Sequence, residues 1–213
     1  MSEIECPTVV LLHGLWLNRW AMLVWCWRLR RAGFVVANFG YPSWRADLRI
    51  NAASLSGFLA ALPARHLHIV AHSMGGVVAA QALHNRPDAR VRRVVMVGSP
   101  YQDSLAARRL MRCLPGRFLL GRSMAQWLQQ PERPAFPPQV EVGVIAGSCG
   151  IGLGRLLAPL PRPHDGVVAE QETRITQAHD HVLLPVTHVG MLYARSVSAA
   201  TEHFLRHGCF QPR

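Results

Sequence analysis

At 213 residues, half of them hydrophobic and only 16% charged, the chain has the length and composition of one ordinary globular domain, which excludes intrinsic disorder. All 23 basic residues are arginine, and set against 12 acidic residues they give a net charge of +11. No predicted helix carries the dense basic stripe or aromatic ladder of a nucleic-acid reader, so no nucleic-acid partner is expected. No apolar run approaches the roughly 18 residues of a membrane span. Glu3 and Glu5 interrupt the basic-then-apolar order of a secretory signal, so a cytoplasmic protein is expected. The five cysteines are scattered without a C-x-x-C pair, and His66-x-His68 and His179-x-His181 gather no third ligand. No metal and no cofactor are expected.

Residues 8–12 form an apolar run ending at His13-Gly14 and read as the first strand. Asn18 can cap a helix to about Arg31 with an apolar face of Met22, Trp25, Cys26 and Leu29, its tryptophans being expected in the core. Gly33 stops that helix. Residues 34–39 are the next strand, broken at Tyr41-Pro42-Ser43, and a helix follows to about Ala61. Residues 67–71 read as a buried strand and 74–85 as a helix, ended by Pro87-Asp88. Strands follow at 93–97, 140–146 and 182–186, and an amphipathic helix closes the chain at 196–207. The alternation predicts an α/β fold, a mostly parallel sheet with helices on both faces. Two stretches depart from it. Residues 103–128 are helical, rich in arginine and large apolar residues, and broken at Pro115-Gly116; residues 147–163 are Gly- and Pro-rich loop. Within that loop Gly150-x-Gly152-x-Gly154 lacks the third glycine of a dinucleotide fingerprint, since Arg155 stands there. Without repeats or linkers, residues 1–213 are expected to form one domain.

The chemistry centres on Ile69-Val70-Ala71-His72-Ser73-Met74-Gly75-Gly76, a buried strand running into a serine and then directly into a helix. A serine in so sharp a turn needs small residues two positions away, and Ala71 and Gly75 meet that need. The helix beginning at Met74 points its first amides toward the serine, where they can stabilise an oxyanion. A second donor must come from an early loop, and Leu15, after His13-Gly14, fits that role. A base and an acid must follow in the chain. His188 comes just after the last predicted strand, whereas His203 and His207 lie on the closing helix and His179 and His181 precede the strand. Chain order admits both Asp165 and Asp180 as the acid. Asp165 leaves the strand at 140–146, while Asp180 enters the last strand at the opposite edge of the sheet, so topology favours Asp165.

Together these motifs resemble the small bacterial lipases and esterases of the α/β-hydrolase superfamily. The resemblance runs from His13-Gly14 through Ala71–Gly76 and Asp165-Gly166-Val167-Val168 to His188, nearly the whole chain. Gly98-Ser99-Pro100 with Ser104 is similar to a Gly-Thr-Pro…Gly-Ser segment of those enzymes, Ala71 replaces their more usual glycine, and Tyr101 stands where histidine is frequent. The resemblance implies hydrolysis of a small-molecule ester with an apolar acyl group. Ser73 would attack, His188 would take its proton, Asp165 would orient the imidazole, and the Leu15 and Met74 amides would hold the oxyanion. It also implies that 103–128 is a small helical cap, with Leu110, Met111, Phe118, Leu119 and Trp127 either lining an acyl pocket or packing beneath the cap. An acyl-CoA or acyl-carrier thioesterase would use the same triad, with Arg108, Arg109, Arg112, Arg117 and Arg122 meeting acidic carrier groups. A non-catalytic binding module is the remaining alternative, and an intact triad argues against it. The alternation of those arginines with apolar residues also suggests peripheral contact with anionic lipid.

Overall fold

The computed structural model describes residues 6–112, 114–152 and 159–210; Glu3, Glu5, Cys113, Gly154 and Arg155 lie outside the described residues. Six strands, β1 (Thr8–Leu12), β2 (Val35–Phe39), β3 (Leu67–His72), β4 (Val91–Val97), β5 (Glu141–Gly147) and β6 (Asp180–Leu184), form one sheet in the order β2-β1-β3-β4-β5-β6. Every neighbouring pair is parallel. The helices are α1 (Leu23–Arg31), α2 (Leu48–Ala61), α3 (Met74–Asn85), α4 (Leu105–Leu110), α5 (Leu114–Gln129), the single turn α6 (Glu170–Thr173) and α7 (Arg195–His207).

Alternation along the strands divides the core in two. Val10 and Leu12 of β1 face Leu55 of α2, Val77 of α3 and Trp127 of α5. Val9 and Leu11 face Trp25 and Leu29 of α1 and Phe204 of α7. With helices on both faces β1 and β3 are buried on both sides; β1 reads as an apolar run for that reason, while β3 also buries His68 and His72. The chain passes from β1 to β2 on one side, then places β3 on the other side of β1. Connections leaving β1 and β3 therefore part at a switch point, with Leu12 in register with Ala71. A crevice at the carboxyl ends of the strands follows from that topology.

Three expectations need correction. The last strand is Asp180–Leu184, two residues earlier than expected, because Pro185 has no N–H to donate to a ladder. The excursion after β4 is not broken at Pro115-Gly116. Pro115 lies in the first turn of α5, where its missing N–H is no loss, and the kink falls at Gly121, whose φ of 73° a residue with a β-carbon rarely adopts. Of the two alternatives for Trp127 the structure takes the packing one: it is wholly buried and donates its Nε1–H to Pro100 O at 3.1 Å. Of the tryptophans in and before α1, only Trp25 is in the core, while Trp20 and Trp27 are exposed.

Candidate active site

β3 ends at His72 and α3 begins at Met74, so Ser73 alone makes the turn, with φ 54° and ψ −124°. A positive φ at a residue with a β-carbon is a strained state, costing on the order of 1–3 kcal/mol, and it persists only where its surroundings hold it. Here Ser73 N–H donates to Val97 O at 2.8 Å and Gly76 N–H donates to Ser73 O at 3.0 Å. The small neighbours are a packing requirement. A β-carbon on Gly75 would stand 2.7 Å from His13 O, and one on Gly14 would stand 3.0 Å from Ser73 Cβ.

Three side chains from the connections that leave three strands meet at this turn. Ser73 Oγ lies 2.9 Å from His188 Nε2, and His188 Nδ1 lies 2.6 Å from Asp165 Oδ2. A carboxylate can only accept, so Nδ1 carries the proton and Nε2 offers a lone pair to the serine hydroxyl. Asp165 is buried, and its second oxygen accepts from the amides of Val167 at 2.9 Å and Val168 at 2.7 Å. His188 is also held by its main chain, through N–H to Asp165 O at 2.9 Å. Asp180 is elsewhere. It pairs in register with Gly143 near the start of β5, and its oxygens accept from His181 N–H and Phe210 N–H.

The two amides expected to hold an oxyanion flank the serine from different elements. Met74 is the first residue of α3, so its N–H has no carbonyl one turn back. Leu15 follows Gly14, whose carbonyl accepts from His13 Nδ1 at 2.9 Å. That carbonyl and the Leu15 N–H belong to one planar trans peptide and point in opposite directions. Holding the carbonyl against His13 therefore turns the amide away from that ring, and Trp16, with φ 61°, continues the turn.

Tyr41, His72 and Glu172 support this arrangement, and sequence reasoning gave none of them a role. Tyr41 stacks on His13 at 4.4 Å, donates its hydroxyl to His13 O at 2.6 Å, and offers its N–H to His13 Nε2 at 3.4 Å. The His13 ring thus donates from Nδ1 and accepts at Nε2, a neutral form that burial favours by lowering its pKa. His72 Nε2 donates to His188 O at 3.0 Å, while its Nδ1, beside Gly14, has no hydrogen-bond partner among the described residues. Burial, reinforced by neighbouring His188, pushes the His72 pKa down to about 3. Glu172 accepts from Leu105 N–H and from Ala169 N–H, tying the start of α4 to the loop that carries Asp165. The signal for His72 was its place beside the serine; Tyr41 and Glu172 had no local signal.

The first half of α5 is tied to the loop after β1, and α4 to the loop that carries Asp165. Trp16 Nε1–H donates to Leu119 O at 2.8 Å and Trp44 Nε1–H to Phe118 O at 2.6 Å, just before the kink at Gly121. Phe118 and Leu119 are exposed, whereas Leu120, Met124 and Leu128 belong to the core. Trp44, Phe118, Arg45, Arg117 and Arg122 line a cavity of about 470 Å³. Arg108 is engaged by Asp103 at 2.7 Å.

The alpha/beta hydrolase family matches residues 9–204. Among solved structures, the mature lipase BlEst2 of Bacillus licheniformis is similar with a TM-score of 0.66 and 18% identity, over 98% of this chain and 94% of that one. The metagenomic carboxyl esterase MGS0156 is similar with a TM-score of 0.65 and 21% identity, over 87% of this chain and 65% of that one. Tomato methylketone synthase I has a TM-score of 0.62 at 12% identity, over 95% and 99% of the two chains, so the shared fold alone does not fix the reaction. No curated protein matches the sequence. The match of residues 9–204, on a parallel six-stranded sheet with a serine at the turn from β3 to α3, makes the chain a member of the alpha/beta hydrolase family.

Proposed function

We propose that the protein is a serine hydrolase that cleaves carboxylic esters of small molecules with an apolar acyl group. The observation that carries this reading is the continuous hydrogen-bonded path from Asp165 Oδ2 through His188 to Ser73 Oγ, at 2.6 and 2.9 Å. His188 Nε2 takes the hydroxyl proton as Ser73 Oγ bonds to the ester carbonyl carbon. The carbonyl oxygen gains the negative charge and is met by the amides of Leu15 and Met74. The tetrahedral adduct collapses, His188 passes its proton to the departing alcohol, and an acyl group stays on Ser73. A water then gives a proton to His188 and attacks the acyl carbon; as the Ser73–acyl bond breaks, His188 returns that proton to Ser73 Oγ and the acid departs. Asp165 keeps the Nδ1 proton in place throughout and offsets the charge on the imidazolium.

Residues 103–128 act as the cap, with Phe118 and Leu119 facing the acyl chain and Arg109, Arg112, Arg117 and Arg122 disposed toward anionic lipid. The free cysteines Cys6, Cys26, Cys149 and Cys209 are in keeping with work in the reducing cytoplasm. The test pairs fluorophosphonate labelling with a panel of p-nitrophenyl esters and acyl-CoAs of matched chain length. We expect labelling and ester turnover in the wild type and neither in Ser73→Ala, with turnover falling by about 10⁴-fold or more. A Ser73→Ala protein keeping a tenth of the activity overturns the mechanism, and faster turnover of the acyl-CoAs makes the enzyme a thioesterase.

A further inference from the structure

Helix α1 and the turn before it are apolar on two sides. Met22, Trp25, Cys26 and Leu29 are buried against the sheet, yet Trp16, Trp20, Leu23 and Trp27 are 58%, 60%, 50% and 57% exposed. Leu23 and Trp27, one turn apart on α1, share one helix face, and Trp16 and Trp20 stand in the turns that lead into it. Arg19 lies over the Trp20 ring at 4.9 Å and Arg31 over the Trp27 ring at 5.0 Å. Arg19, Arg30 and Arg31 have no carboxylate partner among the described residues. Residues 6–46 hold five of the six tryptophans and five arginines, and no acidic residue.

We infer that this side of α1 is a docking face for the surface of an anionic lipid bilayer. Indole rings, apolar in body and polar at one edge, settle at the level of lipid headgroups. The guanidinium groups stacked on them are placed to meet headgroup phosphates, each contributing attraction that salt screens. A second copy of the chain fits the face poorly. Two such faces would bring arginines against arginines, with no carboxylate in the segment to offset them, on chains that each carry a net charge of +11. The face also leads to the candidate site, because Trp16 adjoins Leu15 and holds Leu119 of the cap by its indole N–H. A bilayer seated on α1 lies beside the place where a lipid-borne ester would enter. The anchor is thus α1, with the cap arginines at its margin, and docking stands whether or not the chain hydrolyses esters.

The test is co-sedimentation with vesicles of phosphatidylcholine alone and of phosphatidylcholine mixed with phosphatidylglycerol, with hydrolysis of a water-soluble ester followed in parallel. Wild-type protein is expected to partition at least about tenfold better onto the anionic vesicles, losing that advantage in high salt, with a blue shift in tryptophan emission. The double variant Trp20→Ser, Trp27→Ser should lose about tenfold or more on the anionic vesicles. Arg19→Gln with Arg31→Gln should lose about 25-fold there, at about fivefold per arginine. Both should hydrolyse the soluble ester within about twofold of wild type, which also reports that they fold. Arg117→Gln with Arg122→Gln should weaken binding less than either pair. Wild-type protein that ignores anionic vesicles overturns the inference, as does a tryptophan variant that partitions like wild type or a loss confined to the cap variant. So does a wild-type dimer that the tryptophan variant turns into monomers without vesicle binding, an outcome that assigns the face to a second copy.

Discussion

Ser73, Asp165 and His188 lie on the connections that leave β3, β5 and β6, and each is held by its main chain as well as its side chain. Phe118 and Leu119, the roof of the proposed site as the three triad residues are its floor, stand on the first half of α5, which two indole–carbonyl hydrogen bonds tie to the loops after β1 and β2. The floor is over-determined: Ser73 N–H, His188 N–H and His188 O all have partners, and the strained serine turn persists because of them. The roof has one fixed end, where Leu120, Met124, Trp127 and Leu128 enter the core, and one exposed end before Gly121. A turn that stores strain needs rigid surroundings, whereas an exposed helix end keeps its place with few ties.

Breaking the floor should therefore cost far more than breaking the roof. The largest difference is expected between two aspartates. Asp165→Asn should lower turnover of a short-chain ester by about 10²–10⁴-fold, through the wrong imidazole tautomer and a lost countercharge. Asp180→Asn should lower it by less than about tenfold, since its partners are the amides of His181 and Phe210 at the far edge of the sheet. Measured kcat for the folded variants decides, and the reverse order would remove Asp165 from the floor.

Acid should attack the floor next. With a folded pKa of about 3 and an unfolded value near 6.5, His72 is neutral in the native state and takes a proton on unfolding. Its stabilising effect is present above pH 6.5 and is lost as the pH falls toward 3, amounting to about 2 kcal/mol by pH 5. His13, also lowered by burial, and His68, lowered to about 4 chiefly by burial, act in the same direction. Denaturant midpoints at pH 7 and pH 5 should show this loss, and His72→Gln should show a smaller one. An equal loss in both proteins would mean that His72 is not the group that titrates. The smallest effect belongs to the roof. Trp44→Phe removes the hydrogen bond to Phe118 O and keeps the ring contact, so KM for a long-chain ester should rise less than about fivefold, with kcat for an acetyl ester unchanged. A fall in kcat comparable to that of Asp165→Asn would show roof and floor to be one unit.

The same division governs what could be read from the amino acids. α3 runs from Met74 to Asn85 as the apolar pattern indicates, and the strands that set the switch point are short, mostly apolar runs, Thr8–Leu12 and Leu67–His72. The apolar run continues through Pro185 and so places β6 two residues too late, and proline is a louder signal than glycine, which draws the break in the excursion to Pro115 and away from Gly121. Tertiary choice hid the rest. α1 offers two apolar stripes, and periodicity cannot say which one the sheet will cover. His72 and Tyr41 act by joining segments far apart in the chain, at His188 and His13, and no local pattern encodes a partner 116 residues away.

The contact between Gly14 and His72 bears on how such a site can diversify. One edge of the His72 ring holds the His188 carbonyl, and the other lies 3.1 Å from where a β-carbon on Gly14 would stand. A larger residue at position 14 would press on that ring and, through it, on the base. The loop after β1 is therefore a poor place to recruit new substrate preferences. If the chain is the ester hydrolase proposed above, room for bulkier alcohols or longer acids would have to be found at the solvent-facing end of α5, where Phe118 and Leu119 are exposed.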